Sequence, residues 1–249
     1  MLVVPFLGFA GSGKTSLTWS FSRFLLKEGY KVKILNLDPG VERLPYEPDF
    51  DVRSFFTISK IMKEEGVGPN SAMILAGEKL YSLFDVIVSK IRESDCDFVL
   101  VDTPGQLEIF AFRETGSVFI RKLRDVARVC GVFLLGCDVA SSIARLVVAL
   151  LVGFAVQLDL GVETVMVLHK SDMEEAGKIK EVLHSKERLK EALLKEEGVS
   201  VDVALAALDV LDRIRPAIRI IATSSVTLEG HDELFEILHE IFCTCGDNL

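Results

Sequence analysis

Positive charge is in short supply in this sequence. Its 249 residues carry 28 lysines and arginines against 37 aspartates and glutamates, a net charge of -9. That balance argues against a broad nucleic-acid-binding face, and no direct nucleic-acid contact is expected. Long hydrophobic runs are missing as well. The most apolar stretch, Leu146 to Val156, lies between Arg145 and Asp159. It falls short of the roughly 20 residues that cross a bilayer. It reads instead as a helix buried on most sides or at a subunit interface, and no membrane contact is expected. The apolar start, Leu2 to Leu7, has no basic residues ahead of it and runs straight into a glycine loop. The expectation is therefore no secretory signal and a cytoplasmic protein. The five cysteines, Cys96, Cys130, Cys137, Cys243 and Cys245, are an odd and scattered set. They read as small apolar residues in a reducing cytosol rather than a disulfide framework. Cys243-Thr244-Cys245 offers half of a metal site, and no second ligand cluster completes it. Internal repeats and low-complexity tracts are also absent.

What is present is a rich supply of apolar residues, 49% of the chain, enough for a large core. The length suits a single domain over residues 1–249, of α/β type with insertions. Short apolar runs at Leu2–Leu7, Lys31–Leu37, Phe98–Val101, Val132–Cys137, Thr164–Leu168 and Ile218–Ala222 read as strands. Their nearly continuous apolar character fits strands covered on both faces. Helices are predicted over Lys14–Lys27, Glu114–Arg128, Ser142–Leu158, Glu174–Glu196 and Asp232–Phe242. This alternation implies a mostly parallel sheet with helices on both faces. Two stretches break it. Residues 39–70 are rich in charge, proline and glycine with no clear strand, and residues 185–215 read as a charged helical insertion. Insertions at the carboxyl edge of such a sheet usually carry function, although the second is also readable as decoration.

Gly8-Phe-Ala-Gly-Ser-Gly13-Lys14-Thr15 fits the phosphate-loop pattern G-x-x-x-x-G-K-[ST], between a predicted strand and a predicted helix. Its glycines let successive backbone N–H groups converge on one anion, and the following helix adds its positive end. Gly11, Ser12, Gly13 and Ser16 are thus phosphate-binding candidates. Lys14 should reach the β- and γ-phosphates, and the Thr15 hydroxyl should ligate Mg²⁺. The second metal-side group is Asp102, which ends the apolar run from Phe98 and is expected to hold the metal through a water. In Asp102-Thr-Pro-Gly105 the glycine N–H can sense the γ-phosphate. Gln106 can orient an attacking water. Glu108 can add a second hydrogen bond, or simply place a carboxylate in the first turn of the next helix. Asp38, in Asn36-Leu-Asp38-Pro39, can support the metal's water, accept a proton from the nucleophile, or close a turn.

The base end is read from two loops. In His169-Lys170-Ser171-Asp172 the carboxylate can accept from guanine N1 and N2, a donor pair adenine lacks. The Lys170 stem can lie over the base. Thr223 and Ser224 follow the last strand, where backbone N–H groups can meet guanine O6. Both loops resemble the base-recognition motifs of GTPases, usually Asn-Lys-x-Asp and Ser-Ala-Lys, and both depart from them. His169 replaces the asparagine that braces the loop against the phosphate loop. Its imidazole has a different reach.

Taken in order, the phosphate loop, Asn36-Leu-Asp38-Pro39, Leu44-Pro-Tyr46-Glu47-Pro48, Gly68-Pro69-Asn70, Asp102-Thr-Pro-Gly-Gln106 and the ending Cys243-Thr-Cys-Gly-Asp247 span nearly the whole chain. In them the sequence resembles the GPN-loop GTPases, particularly the short archaeal members. The resemblance implies a homodimer in which the loop at Gly68, Pro69 and Asn70 of each subunit enters the other's nucleotide site. Asn70 would meet the γ-phosphate or the released phosphate there. The expected reaction is Mg²⁺-dependent hydrolysis of GTP to GDP, with Gln106 and either Glu108 or Asp38 placing the water. The GTP and GDP forms would then act as a switch for a protein client. An ATPase of the dimeric P-loop class, a small-molecule kinase and a nucleotide-binding scaffold remain as alternatives. Against the kinase, Lys186, Arg188 and Lys190 lie among glutamates and form no evident arginine-rich lid. Against the ATPase, Phe9 and Ala10 stand where that class often has an extra lysine.

Overall fold

The computed structural model describes residues 1–138, 142–183, 185–196, 199–214 and 220–244. The first strand, β1 (Leu2–Gly8), is buried along its whole length. Its side chains alternate, so Val3 and Leu7 belong to one core cluster and Leu2, Val4 and Phe6 to another. A strand covered on both faces needs this period-two supply of apolar groups, and the other central strands repeat it. Strands β2 (Val32–Asn36), β3 (Phe50–Asp51), β4 (Phe98–Asp102), β5 (Arg128–Val129), β6 (Gly131–Gly136), β7 (Thr164–His169) and β8 (Ile220–Thr223) complete the sheet. Its order is β3-β2-β4-β1-β6-β7-β8, with β5 beside the start of β1. Every pairing among the described residues is parallel. All carboxyl ends therefore meet at one edge, and Gly8, Asn36, Asp102, His169 and Thr223 stand along it.

Helices cover both faces, as the alternation of the sequence predicts. On one face α1 (Lys14–Lys27) and the last helix, His231–Thr244, bury Leu17, Phe21, Leu25, Leu234 and Leu238 against the sheet. The other face carries the larger cluster, which draws on most of the remaining helices. In chain order those helices begin with α2 (Ile58–Glu65), α3 (Pro69–Ser82), α4 (Phe84–Arg92), α5 (Leu107–Phe110) and α6 (Glu114–Arg124). They continue with α7 (Ile143–Leu160), α8 (Glu174–Leu183), α9 (Lys186–Leu193) and α10 (Val199–Ile214), and the last helix is α11. By length and composition alone α7 would suffice to cross a membrane. Here it packs on β6, β7 and α10 as a core helix.

Several sequence expectations need correction. Residues 39–70 are more ordered than their composition implies. They hold β3, a 3-10 turn at Val52–Ser54 and α2, which starts at a Thr57 cap and stops at left-handed Gly66. Gly68-Pro69-Asn70 is not a free loop. Gly68 caps α3 and Pro69 takes its first helical position, where the missing N–H costs nothing. The helix expected over Glu174–Glu196 is two helices, because the Ser185 side chain accepts from Arg188 N and starts a new one. The helix from Glu114 ends at Arg124, and Arg128–Val129 joins the sheet. Residues 218 and 219 of the last predicted strand, and Cys245, lie outside the described residues, as does the Cys243 side chain.

Candidate active site

The phosphate loop leaves β1 and enters α1 through Gly13, whose φ of 98° lies in the left-handed region. Glycine is required there for a second reason. A Cβ on Gly13 would stand 2.4 Å from His169 Cδ2 and 2.9 Å from its Nε2. The imidazole thus packs directly on the phosphate loop, filling the bracing position from the base side. Lys14 lies across the loop, donating to the carbonyls of Gly8 at 3.0 Å and Phe9 at 3.1 Å. Burial lowers its pKa, while Asp102 and Asp38 oppose that shift. The Ser12 hydroxyl is buried and has no partner.

Asp102 ends β4 almost fully buried. Its Oδ2 accepts from the Tyr46 hydroxyl at 2.7 Å, and the Thr15 side chain stands near enough to stabilise the same carboxylate. Its Oδ1 is buried with no partner. Desolvation pushes the carboxyl up to about 6, with Asp38 adding to the rise and Tyr46, Thr15 and Lys14 holding it back. A buried, unsatisfied carboxylate oxygen beside a threonine hydroxyl is what a hard divalent cation takes, so these residues fit Mg²⁺. Sequence reading missed Tyr46 here, although it lies in the quoted Leu44–Pro48 motif. Burial and then the Asp102 charge raise the pKa of its hydroxyl, which stays a donor.

Asp38 bridges two loops. Its Oδ1 accepts from Gly40 N at 2.8 Å and its Oδ2 from Gly105 N at 3.1 Å. The amide expected to sense a γ-phosphate is thus held by the chain's own carboxylate. Asn36 fixes the start of this loop, accepting from Asp38 N at 3.1 Å and donating to Asp51 at 2.9 Å. Gln106 is exposed at the cap of α5. Glu108 lies in α5, with its side chain outside the described residues. Between these loops and α3 opens a mainly apolar cavity of about 340 Å³, walled by Asp38, Gly105, Gln106, Met73, Ala76 and Leu80. Gly68, Pro69 and Asn70 are exposed and do not line it. Ser16 is exposed in the first turn of α1.

At the other end of the edge, Asp172 is exposed, and its Oδ1 accepts from Ser224 Oγ at 2.5 Å. That hydrogen bond is the main reason its pKa is lowered. Lys170 takes a left-handed φ of 64° and pairs with Asp138 at 2.9 Å. One expectation changes here. Ser224 N is already donated to Glu229 O at 3.1 Å, so this residue serves the loop through its side chain. Its Oγ also accepts from Val226 N and Thr227 N. His169 is buried, with Nδ1 2.9 Å from Thr223 Oγ1 and Nε2 3.2 Å from Ser225 Oγ. Desolvation, then the nearby His231 and Lys170, depress its pKa to about 4 against the pull of Asp172.

A phosphate loop and an aspartate-ended strand at the carboxyl edge of a parallel sheet with helices on both faces define a P-loop NTPase. A family profile described as "Conserved hypothetical ATP binding protein" matches residues 6–244. The chain is 34% identical over 251 residues to GPN-loop GTPase PAB0955 of Pyrococcus abyssi, covering 99% of each. It superposes on the crystal structure of that protein in its apo form with a TM-score of 0.88, at 33% identity and 98% coverage of both chains. It is also 27% identical to GPN-loop GTPase 1 of Schizosaccharomyces pombe, across 92% of this chain and 66% of that longer protein. The chain belongs to the GPN-loop GTPase family.

Proposed function

We propose that this protein hydrolyses GTP to GDP and phosphate with Mg²⁺, as a homodimer whose two nucleotide states present different surfaces to a protein client. The observation that carries the reading is the buried, unpartnered Asp102 Oδ1 beside Thr15 and Lys14 at the mouth of the phosphate loop. Thr15 and Asp102 would hold the metal. Bound there, Mg²⁺ supplies charge neutralisation for the transferred phosphoryl group.

The chain's own residues do the rest. Backbone N–H groups of residues 11–16 cradle the phosphates, and Lys14 leaves its two carbonyls for the β- and γ-oxygens. A γ-phosphate competes with Asp38 for Gly105 N–H. When it wins, the Asp38 carboxylate is released toward the water that Gln106 orients, and it can take that water's proton. Breaking the bridge between Gly40 and Gly105 also moves both loops, which supplies the switch. Asn70, exposed at the head of α3, serves the γ-phosphate of the second subunit in this reading. The Asp172 carboxylate, with one oxygen fixed by Ser224, reads guanine N1 and N2. Buried cysteine side chains at Cys96, Cys130 and Cys137 fit a reducing, cytoplasmic location.

Calorimetric titration of GDP, ADP and their non-hydrolysable triphosphate analogues with Mg²⁺, on wild type and Asp172→Ala, tests the base assignment. A guanine preference that disappears in the variant is the expected result. Equal affinities in the wild type would remove the GTP assignment and favour the ATP binding in the family profile's description. Sedimentation with and without triphosphate tests the dimer, and a monomer in both conditions would refute it.

A further inference from the structure

We propose that His169 is a positioning residue held in one neutral tautomer by a one-way chain of hydrogen bonds that ends at His231. The chain runs from Thr223 through His169, Ser225 and Ser20 to His231. Four of its contacts join side chains, at 2.9, 3.2, 3.0 and 2.9 Å in that order. The fifth joins His231 Nδ1 to the Glu229 carbonyl at 3.3 Å.

Counting hydrogens fixes its direction. A carbonyl only accepts, so His231 Nδ1 carries the hydrogen. His231 is buried against the stacked rings of Phe21 and Phe24, and an uncharged ring there leaves Nε2 bare. Ser20 therefore spends its single hydrogen on His231 Nε2 at 2.9 Å rather than on the Leu17 carbonyl at 3.3 Å, since bare Nε2 and the Ser20 oxygen would otherwise face each other with no hydrogen between them. The 3.0 Å contact between Ser20 and Ser225 is then bridged by the hydrogen of Ser225. Ser225 has none left for His169, so His169 Nε2 donates to it. His169 Nδ1 is left bare and accepts from Thr223 Oγ1. The reverse direction places two hydroxyl oxygens 3.0 Å apart with no hydrogen between them, or charges a buried imidazole. The Thr223 carbonyl, which receives Ser171 N–H at 3.0 Å, also lies near Nδ1, but an Nδ1–H form would leave His169 Nε2 and the Ser225 oxygen 3.2 Å apart with no hydrogen between them.

This arrangement ties β8, α1 and α11 to one ring, and that ring touches Gly13. A flip of the imidazole would break both of its hydrogen bonds. The plane of His169 is thus fixed against the phosphate loop, and with it the start of the loop Lys170-Ser171-Asp172. Histidine does here what a shorter amide does by direct donation, with its orientation set from a helix on the same face of the sheet as α1. The affinity part of the proposal rests on the reading of that loop as the guanine site, and the tautomer part does not.

Nitrogen-15 labelling of the histidines, with two-bond proton–nitrogen spectra of the full chain at neutral pH, reads the tautomers. His169 should show a protonated Nε2 and a bare Nδ1, and His231 the opposite. In Ser20→Ala the Ser225 hydrogen is freed toward His169 Nε2, and His169 should move to the Nδ1–H form. His231→Phe, which removes the terminal acceptor, should shift the same equilibrium and assigns the His231 signals. GDP should bind Ser20→Ala about fivefold more weakly, with kcat changed less than about twofold. Wild-type His169 protonated at Nδ1, or a tautomer unmoved in both variants, would overturn the chain. A shifted tautomer with unchanged GDP affinity would overturn the positioning role. If the wild type has no guanine preference, the base reading fails while the tautomer result still stands on its own.

Discussion

Replacing His169 with asparagine should change how stability depends on pH. The buried imidazole has its pKa depressed to about 4, chiefly by desolvation, from an unfolded value of 6.5. Above 6.5 the ring is neutral in both folded and unfolded chains, and its contribution to stability is complete. As the pH falls below 6.5 the unfolded chain binds a proton that the folded chain refuses, and stability is lost until the folded value near 4 is reached. One pKa unit corresponds to about 1.4 kcal/mol. Between pH 7 and pH 5 the wild type should therefore lose about 2 kcal/mol that His169→Asn retains. Groups common to both chains, His231 among them, largely cancel in the comparison. Urea unfolding of wild type and variant at the two pH values measures the difference directly. Curves that shift in parallel, with the gap between them unchanged, would show that His169 is not a buried neutral ring and would refute the bracing contact with Gly13.

Tyr46→Phe removes the donor to Asp102 Oδ2 and leaves both carboxylate oxygens poorly satisfied. Metal-free stability should fall by about 1–2 kcal/mol in urea titrations, and added Mg²⁺ should recover part of it. Asp38→Ala frees Gly105 N–H but removes the carboxylate that takes the water's proton, so single-turnover hydrolysis should slow at least about tenfold while GDP affinity changes less than about threefold. Gly116→Ala places a Cβ 2.1 Å from the Phe110 carbonyl and 2.9 Å from Leu160 Cδ2. Thermal unfolding should show a loss of about 2–3 kcal/mol, because the contact is to backbone that cannot step aside cheaply.

The sheet was legible in the sequence because each central strand is an apolar run bounded by charge or glycine, and the phosphate loop anchored the first of them. The metal side was legible for a similar reason, since Asp102 ends a run that admits no other polar group. Tyr46 was not legible. Nothing local tells a tyrosine between two prolines that its hydroxyl meets a carboxylate 56 positions later. The order within residues 39–70 was hidden because Asn36, Asp51 and Arg53 hold it by side-chain hydrogen bonds, which leave no hydrophobic period to read. The helix start at Pro69 was masked by the Gly-Pro pair, which signals a turn and a helical first position equally well. The partners of His169 come from β8 and the turn after it, the rest of their hydrogen-bond chain from α1 and α11, and only the fold brings them together.

The bridge from Asp38 to Gly105 has a kinetic consequence. In the proposed cycle an amide whose alternative acceptor is held opposite it, on the loop after the neighbouring strand, would not wait for solvent to satisfy it after phosphate departs. The carboxylate would rebind at a local concentration set by the fold, and recapture of the leaving phosphate would compete with it. Each turnover would thus end with the site rearmed by its own chain, and the lifetime of the product state would depend on two anions contending for one N–H.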